Sequence, residues 1–228
     1  ARPGPCIEQS FPLHYARSNH TAFLPKPKPV FRSWVIDGYL GPLPVSQFSP
    51  GNHMSTDSAS LRITEIFYSI QGESRSLGLP SVFVRLTGCP LRCQYCDTAY
   101  AFSGGEQMSI EQILLQVASY KPRYVCVTGG EPLAQPNALM LLQQLCDAGY
   151  EVSLETSGAL DVAQVDARVS RVVDLKTPGS LEVSRNRYAN LAVLGRHDQV
   201  KFVICSREDY EWSRFKLDEY ALAERVGE

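Results

Sequence analysis

From residue 61 onward, short apolar runs rich in β-branched residues alternate with stretches of helical periodicity. Strands separated by helical segments favour right-handed βαβ units, because parallel neighbours need a long crossover connection. The pattern therefore predicts an α/β fold with a parallel sheet, an open or incomplete (β/α) barrel, in which ligands collect at the carboxyl ends of the strands. The six predicted strands are Leu61–Tyr68, Ser81–Thr87, Arg123–Thr128, Glu151–Thr156, Arg171–Leu175 and Gln199–Cys205.

Helices are predicted between and after these strands. Ser109 can cap a helix that has Gln112 at its third position, and apolar residues then follow at helical spacing. Asn137 predicts the start of a second helix, which ends before Gly149. The last segment, residues 207–228, is predicted to be one helix.

The first 53 residues differ from the rest of the chain. They contain nine of the fifteen prolines and three of the four histidines, and they show no sustained helical or alternating pattern. Because prolines hold the backbone extended and interrupt strands, we predict a disordered extension over residues 1–53 and one domain over residues 54–228. The sequence stops after the last predicted helix without another strand, so we expect the C-terminal part of the barrel to be missing.

Composition narrows the classes of function. A formal net charge of −2 gives no electrostatic reason to expect nucleic acid or a membrane surface as a partner, so a small-molecule substrate is favoured. Seven cysteines are an odd number for a disulfide framework, and three of them fall within eight residues. This crowding favours metal binding in a reducing compartment, and no apolar stretch reaches the roughly 20 residues of a membrane helix. We therefore expect a cytoplasmic protein.

The three crowded cysteines have the spacing CxxxCxxC directly after a predicted strand, at Cys89, Cys93 and Cys96. Three thiolates in one short loop can each bind one iron of a 4Fe–4S cluster, and the fourth iron then stays open for a chelating ligand such as S-adenosylmethionine (SAM). The alternative is a structural zinc site, although zinc sites favour paired CxxC motifs with a fourth Cys or His. Three other cysteines lie in apolar runs and are predicted to be buried: Cys126, Cys146 and Cys205.

Short turns with candidate binding groups follow three of the predicted strands. Thr128–Pro132 (TGGEP) contains two adjacent glycines, which let the backbone approach a ligand without a clash from a Cβ atom. The amide and carbonyl groups of such a turn can bind a charged amino-acid group. Glu155–Gly158 and Asp174–Lys176 end the next two strands in a similar manner, although plain structural turns explain them equally well.

Three further features suit a heterocyclic substrate that carries a carboxylate. Ile70–Glu73 (IQGE) supplies an amide, a glycine and a carboxylate, which can hydrogen-bond a ring or form a surface turn. Arg85 lies in an apolar strand and needs an anionic partner, which is either a substrate carboxylate or an internal ion pair. Thr98 follows the last cysteine of the motif, and its hydroxyl is either a ligand for Mg²⁺ or part of a turn.

Together these motifs resemble the radical SAM superfamily and, within it, the 7-carboxy-7-deazaguanine synthase family of queuosine biosynthesis. The resemblance rests on Gln71–Glu73, Arg85, the cysteine motif through Thr98 and Thr128–Pro132, and it extends from about residue 61 to the end. It implies an incomplete barrel of the radical SAM type. The implied activity is that of a lyase that converts 6-carboxy-5,6,7,8-tetrahydropterin to 7-carboxy-7-deazaguanine with loss of ammonia. The long N-terminal leader and the early end depart from the family pattern.

The resemblance also implies cofactors and partners. The cofactors are a 4Fe–4S cluster, SAM and Mg²⁺, and a 5′-deoxyadenosyl radical would remove hydrogen from C6 of the pterin. The cluster would need an electron donor such as flavodoxin or ferredoxin. Family members are homodimers, so a homodimer is expected.

Carried over position by position, the resemblance assigns residues to three groups. The metal ligands would be Cys89, Cys93 and Cys96 for the cluster and Thr98 for Mg²⁺. The residues around SAM would be Tyr95, Cys96, Asp97, Gly130, Glu131, Ser157 and Lys176. The pterin would be bound by Ile70, Gln71, Gly72, Glu73, Arg85 and Thr128. Among these, Arg85 would bind the carboxylate, and Glu73 is a candidate acid or base on proximity alone.

Two other functions stay open on the residues alone. A glycyl-radical-enzyme activase would use the same cluster but would remove hydrogen from a protein backbone, which requires a docking groove for a large partner. A noncatalytic zinc-binding module would contain zinc without iron or sulfide.

Overall fold

The computed structural model describes residues 59–227, and these residues form a seven-stranded sheet with the order β3-β1-β2-β4-β5-β6-β7. The strands are β1 (Ser60–Ile70), β2 (Pro80–Leu86), β3 (Glu106–Ser109), β4 (Tyr124–Gly129), β5 (Glu151–Thr156), β6 (Ser170–Asp174) and β7 (Gln199–Lys201). The helices are α1 (Ile110–Ser119), α2 (Ala138–Asp147), α3 (Arg207–Glu219) and α4 (Leu222–Arg225). The disorder predicted for residues 1–53 lies outside the described residues.

The sheet is parallel over most of its width and is not closed. Strands β2, β4, β5, β6 and β7 pair in parallel, which confirms the predicted parallel sheet and incomplete barrel. In contrast, β1 pairs antiparallel with both β2 and β3. Residues 71–79 are too short a connection for a parallel crossover, so β1 must return beside β2 in the opposite direction.

The two faces of the sheet have different chemistry. One face, the outer face, forms the hydrophobic core with α1 and α2. Its buried residues include Val84, Val127, Leu154, Ile113 and Leu142. Burying each such aliphatic side chain contributes about 1.5–3 kcal/mol to folding. The opposite side, here called the inner face, has alternate residues of the same strands, as the period of two requires. It carries Phe83, Arg85, Cys126, Thr128, Ser153, Glu155, Asp174 and Lys201.

The first two helices begin where the sequence predicts. The Ser109 hydroxyl accepts a hydrogen bond from the Gln112 amide (3.2 Å), and the Gln112 side chain accepts one from the Ser109 amide (2.8 Å), so the capping box is confirmed. Asn137 precedes α2 but does not cap it, because its side-chain amide donates to the carbonyl of Ser60 instead (3.0 Å). The α2 helix ends before Gly149, which has a left-handed φ of 88°.

The C-terminal region differs from the prediction of a single helix. Ala221 adopts a left-handed conformation (φ 48°) that separates α3 from α4, and this turn lets Leu222 pack into the core at 1% exposure. Strand β7 ends at Lys201, so the predicted strand to residue 205 is too long. Cys205 therefore lies beyond the sheet and is only partly buried, contrary to prediction, whereas Cys126 and Cys146 are buried as predicted.

Strand β3 was not predicted, because its four residues, EQMS, are mostly polar and carry no alternating pattern. Within residues 59–227, no helix has the length and apolar character that crossing a membrane requires.

Candidate functional site

The cysteine loop lies at the carboxyl end of β2, where ligands of parallel sheets collect. Cys89, Cys93 and Cys96 are free thiols, and all three are partly exposed. Burial is the main cause that raises the pKa of Cys89, and the neighbouring Cys96 adds to it. Burial also raises the pKa of Cys93, while the ammonium of Lys176 opposes the shift. The thiols therefore lie in one neighbourhood with a lysine beside them.

The donor set fits a cluster with one open iron. Between residues 59 and 227, no group of three His, Cys, Asp or Glu side chains is gathered so as to hold a metal ion. In a cluster each thiolate binds its own iron, so its sulfur ligands lie farther apart than those around one zinc ion. Three thiols in one accessible loop are the ligands that a 4Fe–4S cluster needs when its fourth iron binds another molecule.

The glycine-rich turn after β4 packs directly on the cysteine loop. A Cβ atom on Gly130 would lie 2.3 Å from the carbonyl oxygen of Gly88 and 2.7 Å from the Cβ atom of Cys89. The amide of Glu131 donates to the carbonyl of Gly88 (2.8 Å), and the amide of Gly130 donates to the carbonyl of Leu86 (3.2 Å). Only glycine fits at position 130, so main-chain contacts fix the distance between the two loops.

Glu131 joins the ends of β4 and β5 from a fully buried position. Its carboxylate accepts hydrogen bonds from the hydroxyl of Thr156 (2.9 Å), the amides of Ser157 (2.8 Å) and Leu133 (3.0 Å), and the hydroxyl of Ser157. A buried carboxylate needs such a set of donors, because a charge without them is costly to bury. In this arrangement Glu131 holds Ser157 in place, and its own oxygens are engaged within the protein.

Asp174 and Lys176 end β6 beside the cysteine loop. Lys176 Nζ lies 2.8 Å from Asp174 Oδ2 and 6.0 Å from the centre of the Tyr95 ring. Asp174 Oδ1 and the Tyr95 hydroxyl are buried with no hydrogen-bond partner among the residues that the structure describes. Burial, with help from Asp174, raises the pKa of Tyr95, so its hydroxyl stays neutral. Two unpaired buried polar atoms beside an ammonium form a place where the polar groups of a ligand would bind.

Asp97 and Thr98 directly follow Cys96, the last cysteine of the loop. The Thr98 hydroxyl donates to Asp97 Oδ1 (2.6 Å), and Thr98 precedes a short 3₁₀ helix at Ala99–Phe102 without capping it. Asp97 is exposed and Thr98 is partly exposed. Their oxygen atoms are therefore accessible, and the Mg²⁺ site at Thr98 stays a prediction.

Polar side chains line the inner face next to the rim formed by these loops. Gln71 is 4% exposed, and its amide donates to Glu155 Oε1 (3.4 Å), while the Thr128 hydroxyl donates to Glu155 Oε2 (3.3 Å). Cys126 lies on the same face, opposite Ser153 of β5. Burial raises the pKa of Cys126 well above its ordinary value, and Glu155 adds to the shift. The structure thus brings two predicted substrate residues together with a carboxylate that the sequence left undecided.

Arg85 forms the internal ion pair that the sequence left open. Its Nε donates to Glu65 Oε1 (2.7 Å), its side chain is 15% exposed, and the Tyr100 hydroxyl donates to the same oxygen (2.8 Å). Although burial raises the pKa of Glu65, the bonds from Arg85 and Tyr100 lower it below its ordinary value. Among residues 59–227 only Nε of Arg85 makes a hydrogen bond, so its two Nη atoms remain available to a ligand.

The loop between β1 and β2 brings some predicted residues to the inner face and leaves others out. Ile70 lies on the same face of β1 as the core residue Ile66, so a contact from it to a ligand on the inner face would come from its backbone. Gly72 is exposed, with no atom near the position of a Cβ. Glu73 forms an ion pair with Lys201 on β7, a residue that sequence reasoning missed.

The missed residues had a signal in the sequence. Glu65 and Arg85 are opposite charges in neighbouring apolar strands, and the structure pairs them in register. Lys201 alternates with the core-facing Val200, as a side chain on the ligand-binding side of a strand would. Tyr100 follows the cysteine motif in a segment without regular pattern, and nothing in the sequence points to it.

Known proteins are similar to this chain over most of its length. The family profile of the radical SAM superfamily matches residues 83–209. The 7-carboxy-7-deazaguanine synthase of Koribacter versatilis is 44% identical over 168 residues, which cover 73% of this chain and 74% of that protein. The protein of the same name from Chlorobaculum tepidum is 46% identical over 164 residues, which cover 71% of this chain and 74% of that protein.

The crystal structure of QueE from Escherichia coli has a TM-score of 0.51 at 22% identity and covers 73% of this chain and 92% of that chain. The open sheet, the family match and this likeness together confirm the fold as an incomplete barrel of the radical SAM type. The relatives favour neither the glycyl-radical activase nor the zinc module. The chain therefore belongs to the radical SAM superfamily and, within it, to the 7-carboxy-7-deazaguanine synthase family.

Proposed function

We propose that this protein converts 6-carboxy-5,6,7,8-tetrahydropterin to 7-carboxy-7-deazaguanine and releases ammonia. The relatives are named for this product. The observation that carries the proposal is the network of Gln71, Thr128 and Glu155 on the inner face, beside the rim that bears the cysteine loop. A substrate bound there would lie next to the cofactors.

The cofactors that the superfamily implies are a 4Fe–4S cluster and SAM. Cys89, Cys93 and Cys96 would hold the cluster. When bound, the cluster and SAM supply a 5′-deoxyadenosyl radical that takes hydrogen from C6 of the pterin. The protein's part is to place the two molecules at a fixed distance and to exclude water between them.

The residues around SAM would act in two ways. Lys176 and the hydroxyl of Tyr95 offer polar groups that are buried beside the cysteine loop. Gly130 permits close approach of the main chain, and Glu131 holds Ser157 toward the same rim. The full proposed set remains Tyr95, Cys96, Asp97, Gly130, Glu131, Ser157 and Lys176.

The inner face offers groups that match the two ends of the pterin. Glu155 can accept hydrogen bonds from the 2-amino group and N3–H of the ring, and Gln71 and Thr128 already hold its carboxylate in place. The Nη atoms of Arg85 can bind the carboxylate on C6 while Nε keeps its bond to Glu65. Glu73 and the backbone of Ile70–Gly72 complete the proposed contacts.

The remaining parts of the proposal concern the metal ion and the partners. Thr98 would supply one hard oxygen ligand to Mg²⁺, which commonly takes its other ligands from water and substrate. A homodimer, a flavodoxin or ferredoxin as electron donor, and a cytoplasmic location complete the proposal, since a thiolate-bound cluster needs a reducing compartment.

An anaerobic product assay tests the proposal. Protein with a reconstituted cluster is reduced and incubated with SAM and the carboxypterin, and the expected products are 5′-deoxyadenosine, ammonia and 7-carboxy-7-deazaguanine. Iron and sulfide are measured on the same sample, with Cys93→Ala as the control that should lose the cluster. No deazaguanine, and no deoxyadenosine that depends on the pterin, would contradict the proposal.

A further inference from the structure

Lys201 places an ammonium group on the inner face, outside the residues assigned above. It lies opposite Asp174 in the register of β6 and β7, so the two side chains leave the sheet on the same side. Its Nζ donates to the carboxylate of Glu73, and its side chain is 30% exposed. Burial lowers the pKa of Lys201, but Asp174, Glu73 and Glu155 outweigh this and raise it. The group is therefore a stable cation that is bonded to Glu73 and attracted by two further carboxylates.

One loop brings this cation close to the proposed ring site. Gln71, two residues before Glu73, donates to Glu155, while Glu73 itself binds Lys201. The amide of Arg75 donates to the side chain of Gln199 (2.7 Å), which ties the same loop to β7. The loop therefore contacts both the carboxylate of Glu155 and the ammonium of Lys201, through residues only two positions apart.

An ammonium group has three hydrogen-bond donors, and an ion pair with one carboxylate uses only part of this capacity. Among the described residues, Lys201 makes one such bond, to Glu73. Its partial exposure leaves a direction from which a ligand can approach. Lys201 can therefore keep Glu73 and bind a ligand acceptor at the same time.

The pyrimidine edge of a pterin presents two donors, the 2-amino group and N3–H, followed directly by one acceptor, the 4-oxo group. A binding site complementary to this edge needs a carboxylate that faces the two donors and, next to it, a hydrogen-bond donor that faces the 4-oxo group. Glu155 can supply the carboxylate and Lys201 the donor. We infer that Lys201 donates a hydrogen bond to the 4-oxo group of the pterin and thereby selects an oxo-substituted ring. This inference rests on the proposed function and adds a substrate-recognition residue to it.

The test compares two ligands that differ in a single atom at this ring position. Equilibrium binding to the cluster-loaded protein with SAM is measured for the carboxypterin and for its 4-thioxo analogue, in which sulfur replaces the 4-oxo oxygen and N3–H is kept. We expect the wild type to bind the oxo compound about tenfold more tightly, because sulfur accepts the charged hydrogen bond more weakly than oxygen does. In Lys201→Met this preference should fall to about twofold or less, because the charged donor is gone.

Glu73→Gln is the matched control, since it removes the ion pair but keeps the ammonium. It should retain most of the preference for the oxo compound. If Glu73→Gln and Lys201→Met lose the preference for the oxo compound to the same extent, the ion pair only shapes the loop, and this result would overturn the inference. An unchanged preference in Lys201→Met would overturn it as well.

Two further measurements keep the outcomes distinct. If Lys201→Met does not fold, Lys201→Arg replaces it: a retained cation should keep the oxo preference with weaker binding, and loss of all preference would count against the inference. Wild-type product formation is assayed in parallel. Failure of the wild type to make the deazaguanine refutes the proposed function, whereas normal product formation with an unaltered preference in Lys201→Met refutes this inference alone.

Discussion

Two regions of this site are held together by different kinds of contact. The rim consists of the cysteine loop and the turns that follow β4, β5 and β6, and the floor consists of the polar side chains on the inner face together with the Glu73–Lys201 ion pair. At the rim, the cysteine loop and the turn at Gly130 touch through main-chain atoms, with hydrogen bonds from amides to the carbonyls of Leu86 and Gly88. At the floor, Glu73 of the loop between β1 and β2 meets Lys201 of β7 only through side-chain atoms. Substitutions at the rim should therefore be poorly tolerated, because they displace main-chain atoms. Substitutions at the floor should each remove a single side-chain contact.

Gly130→Ala should give the largest loss of product formation, because the substitution is at the contact between the two loops of the rim. Its new Cβ atom would lie 2.3 Å from a carbonyl oxygen, so the two loops must separate. A displacement of about 1 Å at a reacting centre can cost roughly 100-fold in rate, so we expect at least that loss of product formation together with lower iron and sulfide content. Gly195→Ala is the control, since no atom lies within 4 Å of its Cβ position. Full cluster content and activity in Gly130→Ala would show that the main-chain contacts do not fix the distance between the two loops.

Asp198→Asn tests the support of β7, the strand that carries the floor. Asp198 is 1% exposed and accepts bonds from Arg171 Nη2 (2.6 Å) and Nε (2.9 Å) and from the amide of Gly195 (2.9 Å). Removing one charge of a buried pair leaves the other unpaired, so the free energy of unfolding at pH 7 should fall by roughly 3 kcal/mol. Urea unfolding measures it. Asp161→Asn, in an exposed pair with Arg187, should have a much smaller effect.

The same variant has a defined pH dependence. Although burial raises the pKa of Asp198, the bonds from Arg171 and from backbone amides outweigh it and lower the pKa below its ordinary value. The stabilisation is therefore complete above the unfolded pKa of about 3.9 and is lost as the pH falls through the lower folded pKa. The difference between wild type and Asp198→Asn should shrink below about pH 4. A difference that stays constant down to pH 2 would argue against an ionised Asp198.

Arg85→Ala should act on substrate handling at the floor while leaving the rim assembled. Loss of a charged hydrogen bond to the substrate carboxylate should raise the KM for the carboxypterin about 30-fold, and more deoxyadenosine should form per molecule of product. Steady-state kinetics with both products measured gives these numbers. Arg123→Ala, whose side chain is 72% exposed in an ion pair with Glu151, is the matched control. Reduced cluster content in Arg85→Ala would instead indicate that the pair with Glu65 supports the fold.

Ser109→Ala should have the smallest effect and should not distinguish the two regions. It removes one half of the capping box of α1 on the outer face, which should lower the free energy of unfolding by about 1 kcal/mol. Ser119→Ala, at the other end of the same helix, removes a bond to the carbonyl of Gln116 (2.7 Å) and serves as control. A change in the KM for the pterin in Ser109→Ala would mean that the outer face communicates with the floor.

Local sequence predicted the rim better than the floor. The cysteine spacing and the TGGEP turn place their residues through short-range geometry, and the structure brings both to the same end of the sheet. The ion pair of Glu73 and Lys201 joins residues that are 128 positions apart, and no local pattern can specify such a contact. The sequence also indicated that Arg85 needs an anion but could not identify Glu65 as its partner, because that choice depends on the antiparallel register of β1 and β2.

The fold predictions were wrong where hydrophobic periodicity does not decide the structure. The direction of β1 follows from the short connection to β2, and the break at Ala221 follows from the burial of Leu222, and neither leaves a mark on hydrophobic periodicity. The capping box at Ser109 succeeded because it is complete within four consecutive residues.

The loop of residues 71–79 connects one flank of the sheet to β7 without adding a strand. Its links are the Glu73–Lys201 ion pair and the bonds of Arg75 to Gln199 (2.7 Å) and to the carbonyl of Arg196 (3.1 Å). None of these links belongs to the hydrogen-bond ladder of the sheet, so they can break while all strand pairs remain. Salt should weaken the Glu73–Lys201 ion pair by screening its charges. Contacts between this loop and β7 can therefore change while the sheet keeps all of its pairings.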